Sequence, residues 1–223
     1  MDAGACLRYL QREIHTAVAA TIDTDGLPVT CAVDIMDADE GGLYFLTARG
    51  KGFYGRLKAT GYLSLTGIKG ENTMSRTAIS VRGKVRELGG APLPRLFDMN
   101  PYMREIYPTP ASQRALTVFR LYAGEGEWFD LSKKPIERFS FSFGQAVLNP
   151  EGYFITEACT GCRICEAVCP QGCIDFSAVP AVIRQAHCLR CGNCMEVCPQ
   201  SAVIREDEKC HRRKDGCISF GNC

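Results

Sequence analysis

Two runs of cysteine in the last third of the chain carry the chemistry that can be read first. Cys159, Cys162, Cys165 and Cys169 precede Pro170, and Cys188, Cys191, Cys194 and Cys198 precede Pro199. Each run reads C-x2-C-x2-C-x3-C-P. In this bacterial spacing each run contributes to a pair of 4Fe-4S clusters, and its fourth cysteine ligates the cluster of the other run. The expected ligand sets are therefore Cys159, Cys162, Cys165 and Cys198 for one cluster, and Cys188, Cys191, Cys194 and Cys169 for the second. Three thiolates two residues apart wrap one cube only if the backbone curls tightly around it. The fourth ligand must come from elsewhere, and the proline after it turns the chain away from any continuing helix. Gly161, Gly192 and Asn193 suit tight turns that direct backbone N–H groups at sulfur. Zinc sites more often pair two short C-x2-C knuckles, and a disulfide framework would require an exported chain. A chain built this way moves electrons.

The stretch from Cys159 to Ile204 resembles a bacterial two-cluster ferredoxin. It is too small for a large apolar core, so its clusters must supply much of its stability. The whole chain of 223 residues accommodates this module and one larger domain. A formal net charge of +1 argues against a nucleic acid or other polyanion as partner. The opening segment MDAGACLRYLQREIH lacks a basic and an apolar signal region, and no stretch approaches a membrane span. Together with 14 cysteines gathered largely in cluster motifs, this leads us to expect a cytoplasmic protein without membrane association. Exposed low-potential clusters suggest an anaerobic host.

The preceding residues lead us to expect a domain over 1–148, followed by the ferredoxin-type domain at 149–206 and a basic, cysteine-rich tail at 207–223. An amphipathic helix with Leu7, Leu10 and Ile14 on one face opens the chain. Short alternating segments follow, read as strands over 16–23, 28–36, 43–47, 62–68, 78–88, 116–122, 125–129 and 137–143. Asp25-Gly26 supplies the first hairpin turn, and the acidic stretch 37–42 turns again. A short helix is expected over 53–59, with one or two more in the proline-punctuated region 91–110. Many short antiparallel strands with few helices imply a small barrel.

These residues resemble the split-barrel flavoproteins typified by pyridoxamine 5'-phosphate oxidase. The likeness rests on Glu127-Trp128 followed by Arg138 and the strand FSFSF, on LYFLTARGK, on GLPVTCAVDIM and on ISVRGKVREL. It implies a mainly β split barrel with flanking helices that binds FMN, beside the small α+β ferredoxin domain. The implied flavin residues are Trp128 and Arg138, Thr47 with the cations Arg49 and Lys51 at the phosphate, and Thr30 and Cys31 on the strand lining the ring. Hydroxyl, backbone N–H and Arg or Lys donors are what a phosphate requires. The chain departs from the oxidase at several places. Cys31 replaces an arginine, Met36 a substrate-contacting lysine, and Ala78 a flavin-contacting glutamine. Lys134, Pro135 and Ile136 stand where substrate residues would be, and the phosphate cations lie a few residues early. The resemblance thus implies the fold without the vitamin chemistry.

A flavin handles electrons in pairs or singly and a 4Fe-4S cluster only singly, so the fusion suits conversion between the two. The expected activity is an FMN-dependent reductase. One-electron transfer through two 4Fe-4S clusters would support two-electron reduction of a small-molecule acceptor at FMN, with a deazaflavin as the alternative cofactor. A redox partner protein, ferredoxin or flavodoxin, would exchange electrons with the clusters. The alternatives are a ferredoxin-like electron carrier whose barrel is a docking or dimerising module, and a redox sensor. Split barrels of this kind usually form homodimers, in which Trp128 or Arg138 could reach the neighbouring flavin. No dinucleotide fingerprint, P-loop or nucleophilic triad is present, and no catalytic residue is assigned. His15 and His187 are read as structural, Cys6 and Cys173 as packing residues. Cys210, Cys217 and Cys223 in the tail are read as free or redox-active thiols, with a further metal site formed together with His211 as the alternative.

Overall fold

The computed structural model describes residues 1–148 and 151–206. The chain divides into two compact units, Met1–Leu148 and Asn149–Cys223. The tail residues Cys210, His211, Cys217 and Cys223 lie outside the described residues.

In the first unit, the Asp2 carboxylate accepts the Ala5 amide at 2.7 Å and so caps helix α1 (Ala3–Tyr9). A π-type turn over Leu10–Ile14 extends it. Cys6, Leu7 and Leu10 are buried in the barrel core and Ile14 packs against it. The chain then alternates through β1 (Thr16–Ile22), β2 (Pro28–Asp34), β3 (Asp37–Asp39) and β4 (Gly42–Ala48). Helix α2 (Gly52–Thr60) ends at Gly61, whose φ of 62° is the left-handed closure that glycine adopts without strain. β5 (Tyr62–Lys69) and β6 (Thr77–Gly89) follow. Three short helices, α3 (Leu93–Met99), α4 (Met103–Ile106) and α5 (Pro110–Gln113), lead to β7 (Leu116–Asp130) and β8 (Glu137–Phe143).

All these strands pair antiparallel in the order β2-β1-β5-β6-β7-β4-β3, with β8 also on β7. The architecture is the expected split barrel. Three local details differ from the sequence reading. The acidic stretch forms β3, which folds back on β4 with Asp37 opposite Tyr44. The proline-punctuated region makes three helices. The segments read as separate strands at 116–122 and 125–129 are one strand. β7 runs unbroken through Gly124 and Gly126 and bends just before them, where a register shift between Lys84 and Val85 of β6 leaves Tyr122 as the extra residue. On its other edge β7 pairs first with β4 and then, beyond the bend, with β8.

The bend depends on missing side chains. Gly83 and Gly124 face each other, and a Cβ on Gly124 would lie 2.1 Å from the Arg82 carbonyl oxygen. Inside, Phe45, Phe119, Leu63, Leu65 and Ile79 fill the barrel. A second apolar group, Met36, Leu96, Phe97, Met103 and Val118, holds α3 and α4 against it. The buried Asn100 side chain ties the two together by donating to the carbonyls of Met36 and Leu96, each at 2.9 Å.

In the second unit, β9 (Gly152–Ile155) pairs with β12 (Val203–Glu206), and β10 (Ile174–Asp175) with β11 (Val182–Ile183). The one-turn helices α6 (Ile164–Ala167) and α7 (Asn193–Glu196) lie between them in sequence. Its core is rich in cysteine: Cys165, Cys173 and Cys188 are buried with Tyr153, Ile174, Ala181, Ile183 and Val203.

Gly124→Ala should destabilise the barrel by about 1–3 kcal/mol, the usual cost of forcing an extra methyl into a packed site. The fluorescence of Trp128, the chain's single tryptophan and buried in this core, reports the loss as a lower urea midpoint at unchanged slope.

Candidate functional site

The cysteine runs fold as two copies of one loop. In each, the second and fourth residues after the first cysteine have positive φ: Gly161 at 72° and Arg163 at 62° in one run, Arg190 at 57° and Gly192 at 87° in the other. These left-handed residues curl the chain so that successive thiols face inward. The Arg190 amide donates to Cys188 Sγ and the Ala202 amide to Cys198 Sγ, each at 3.3 Å. Space is as tight as conformation. A Cβ on Gly192 would stand 2.9 Å from the Tyr153 hydroxyl, and one on Gly161 would stand 2.8 Å from Val179 Cγ2.

The loops bring the thiols to two cavities, each drawing on both runs. Cys159, Cys162, Cys165 and Cys198 line one, with Ile155, Phe176 and Ala202. Cys188, Cys191, Cys194 and Cys169 line the other, with Tyr153, Ile183 and Cys173. Burial pushes the Cys194 thiol up to about 11. Burial also works against ionisation of Cys169, but amides of Cys173, Gln171 and Gly172 and the Cys173 thiol bring it below the ordinary value. No disulfide joins these cysteines. Among the described residues no His, Cys, Asp or Glu group is arranged to hold a single metal ion. Thiols set around a void fit an inorganic cluster, in which each binds a different iron, better than one ion reached by all four.

The barrel offers a different site. A cavity of about 290 Å³ lies between Cys31 to Asp34 of β2, Leu46 and Thr47 of β4, Lys51 and Phe53 at the start of α2, and Met103 and Ile106 of α4. Thr47 is 4% exposed, and its Oγ1 has no hydrogen-bond partner. A buried hydroxyl left unpaired costs about 1–3 kcal/mol, so a ligand that supplies the partner binds with that much in hand. Lys51 stands beside it as the residue before α2, where the first amides of the helix have no internal partner. Cys31 keeps its proton, because burial raises its pKa.

Of the residues the sequence pointed to, the structure brings Cys31, Thr47 and Lys51 to this cavity. Thr30 is exposed and does not line it. Arg49 donates to the Arg114 carbonyl at 2.7 Å and pairs with Glu87. Trp128 and Arg138 stand on opposite faces of the β7–β8 pair and neither lines the cavity. Trp128 stacks on Phe139 at 6.0 Å, whereas Arg138 bonds Glu127 at 2.8 Å and lies over the Phe129 ring.

Asp34 was missed. It lines the cavity, accepts from Thr16 Oγ1 at 2.7 Å and from the Tyr102 hydroxyl at 2.8 Å, and Tyr102 in turn meets His15 Nε2 at 2.9 Å. Burial and the Asp34 bond raise the Tyr102 pKa, so the hydroxyl stays a donor. The available signal was a carboxylate at the end of an otherwise apolar strand. His15 is thus held by a polar network, with its backbone at φ 64°.

A split barrel joined to a cysteine-built ferredoxin module defines an iron–sulfur redox protein that transfers electrons. The model of the pyridoxamine 5'-phosphate oxidase family matches residues 5–127, and the chain belongs to that family. Residues 158–202 match the 4Fe-4S dicluster domain. No curated protein matches the chain. Among solved structures it is similar to a NimC/NimA family protein from Clostridium acetobutylicum, at 20% identity and a TM-score of 0.49, over 61% of this chain and 91% of that one. It is also similar to a pyridoxamine 5'-phosphate oxidase-related, FMN-binding protein from Nostoc punctiforme, at 13% identity and a TM-score of 0.47, over 66% and 97%. No helix among the described residues is long and apolar enough to cross a membrane.

Gly192→Ala should lower the iron retained per chain, since a left-handed alanine costs about 1–2 kcal/mol and here also crowds Tyr153. Gly172→Ala, at φ 56° but with nothing within 4 Å of the new Cβ, should lose less. Iron released to a chelator over time measures both.

Proposed function

We propose that the protein is an FMN-dependent reductase fed by two 4Fe-4S clusters. One cluster is held by Cys159, Cys162, Cys165 and Cys198, and the other by Cys188, Cys191, Cys194 and Cys169. When bound, the clusters pass single electrons and the flavin collects them as the pair that a small organic acceptor takes up. The observation that carries the flavin reading is the buried, unpartnered Thr47 hydroxyl beside Lys51 in the barrel cavity. A hydroxyl, an ammonium and helix-terminal amides together suit a terminal phosphate. Cys31 contributes a neutral thiol, and the apolar wall from Met36 to Met103 keeps water from that side. Asp34, fixed by Thr16 and Tyr102, places a carboxyl group at the acceptor end.

The cavity is at the lower end of the ~300–1,000 Å³ usual for small-molecule sites. A second copy of the chain closing over the cofactor would complete it. The outer face of β1 and β5, where Val18, Ile22, Tyr62 and Ile68 are exposed, supports such a homodimer. The electron donor is a ferredoxin or flavodoxin, and the free thiol chemistry suits a reducing cytoplasm.

Anaerobic purification followed by iron and cofactor analysis tests the reading. The expected result is about eight irons and one released FMN per chain. Eight irons without any flavin would overturn the reductase and leave an electron carrier; release of a deazaflavin would change the cofactor. Lys51→Ala should weaken FMN about tenfold, near 1.4 kcal/mol, while leaving riboflavin, which lacks the phosphate, almost unaffected. Titration of the barrel fluorescence with each compound separates the two. Cys169→Ala and Cys198→Ala should each damage the cluster of the opposite run, leaving about four irons.

A further inference from the structure

The two cysteine loops repeat each other closely enough that one serves as a control for the other. Their left-handed residues correspond, and the correspondence continues past the fourth ligand, with Gly172 at φ 56° and Ser201 at φ 48°. It fails chemically at the next position. The second run places Ala202 there, and the first places Cys173. Ala202 lines the cavity of Cys159, Cys162, Cys165 and Cys198, where its methyl has nothing to donate. Cys173 lines the other cavity, is 3% exposed, and holds its Sγ 3.5 Å from Cys169 Sγ. One cavity therefore has four sulfurs and its twin has five.

We propose that Cys173 is a positioning residue that tunes the second cluster: its S–H donates to Cys169 Sγ and sets that cluster's reduction potential above its twin's. The inference rests on the two-cluster reading given above. Hydrogen bonds to ligand sulfurs are one of the levers by which a protein sets cluster potential. A donor facing the sulfur stabilises the reduced cluster, which carries more negative charge, more than the oxidised one. With Cys169 binding iron through its thiolate, Cys173 is the member of the pair that can donate, and the two sulfurs stand 3.5 Å apart. The step is a single electron leaving the first cluster, which is oxidised, and arriving at the second, which is reduced. No proton leaves Cys173 and no bond forms or breaks. The small module thereby acquires a direction, with an electron entering at either cluster coming to rest on the one bounded by Cys173.

The test uses the full-length protein, prepared anaerobically as the native chain, Cys173→Ala and Cys173→Ser, with iron counted and the clusters titrated by potential-controlled EPR. The native protein should show two separable one-electron steps. Cys173→Ala should keep about eight irons and lower the upper step by about 59 mV, a tenfold loss of preference for that cluster. Cys173→Ser, whose hydroxyl still donates, should retain most of the separation. The proposal is overturned if the alanine variant leaves both steps in place or if alanine and serine shift them alike. It is also overturned if the alanine variant loses half its iron, which would make Cys173 a ligand. A native protein with only about four irons would overturn the two-cluster reading itself, a result obtained before any variant is titrated.

Discussion

β7 carries more of the barrel than any other strand, because its backbone is shared among three partners. One edge is hydrogen bonded to β6 over nearly the whole of Thr77–Gly89. The other serves β4 up to Leu121 and β8 from Gly124 onward. A strand can change partners in this way only if it bends, and it bends where Gly83 and Gly124 bring the two backbones too close for any side chain. The cavity is a consequence of that sharing. Pairing with β7 fixes β4, and with it Thr47, while the apolar group of Leu116 and Val118 packs α3 and Met103 of α4 against the barrel, and α4 supplies Met103 and Ile106 to the cavity wall.

The second unit is organised by a different force. Its strands are two to four residues long and could not sustain a sheet alone. Its apolar residues pack in one cluster with the cysteines. Bonds from thiolate to iron are therefore folding energy as well as redox chemistry. This explains why, of the four non-glycine residues with positive φ among the described residues, three, Arg163, Arg190 and Ser201, belong to this unit. The conformational cost is tolerable where strong ligand bonds depend on it.

The two units were legible in the sequence to different depths. Cysteine spacing is a direct statement of loop geometry, since a fixed number of residues between thiols leaves few ways to curl, and each of the two cavities is lined by cysteines of both runs. Strand alternation likewise located β1, β2, β4 and β5 within a residue or two. What was not legible depended on residues distant in the chain. Gly124 and Gly126 read as a break because glycine usually interrupts a strand, whereas pairing with β6 and β8 carries β7 through them. Asp34 looked unremarkable in its own segment; its place at the cavity depends on Tyr102, brought in by α4. Arg49 had the right charge near the right strand, but its guanidinium is held by the Arg114 carbonyl and Glu87.

Thiol chemistry in this chain follows local donors and burial rather than residue type. Cys6 sits in the barrel core, where burial pushes its thiol up to about 11 and it behaves as a small apolar side chain. Cys31 borders the barrel cavity and is also raised by burial, so it offers that site shape and polarisability without charge. Cys169 is no more exposed in kind, yet three backbone amides and a neighbouring thiol turn the balance and favour its thiolate. The difference lies in the loop after Cys169, where the left-handed Gly172 turns successive N–H groups toward one sulfur. Cys31 has no such loop beside it, since it lies within an extended strand opposite Ala19 of β1. Donation from the loop backbone is thus what separates Cys169 from Cys165 and Cys194 of its own unit, whose thiols burial raises, as well as from Cys31 in the barrel.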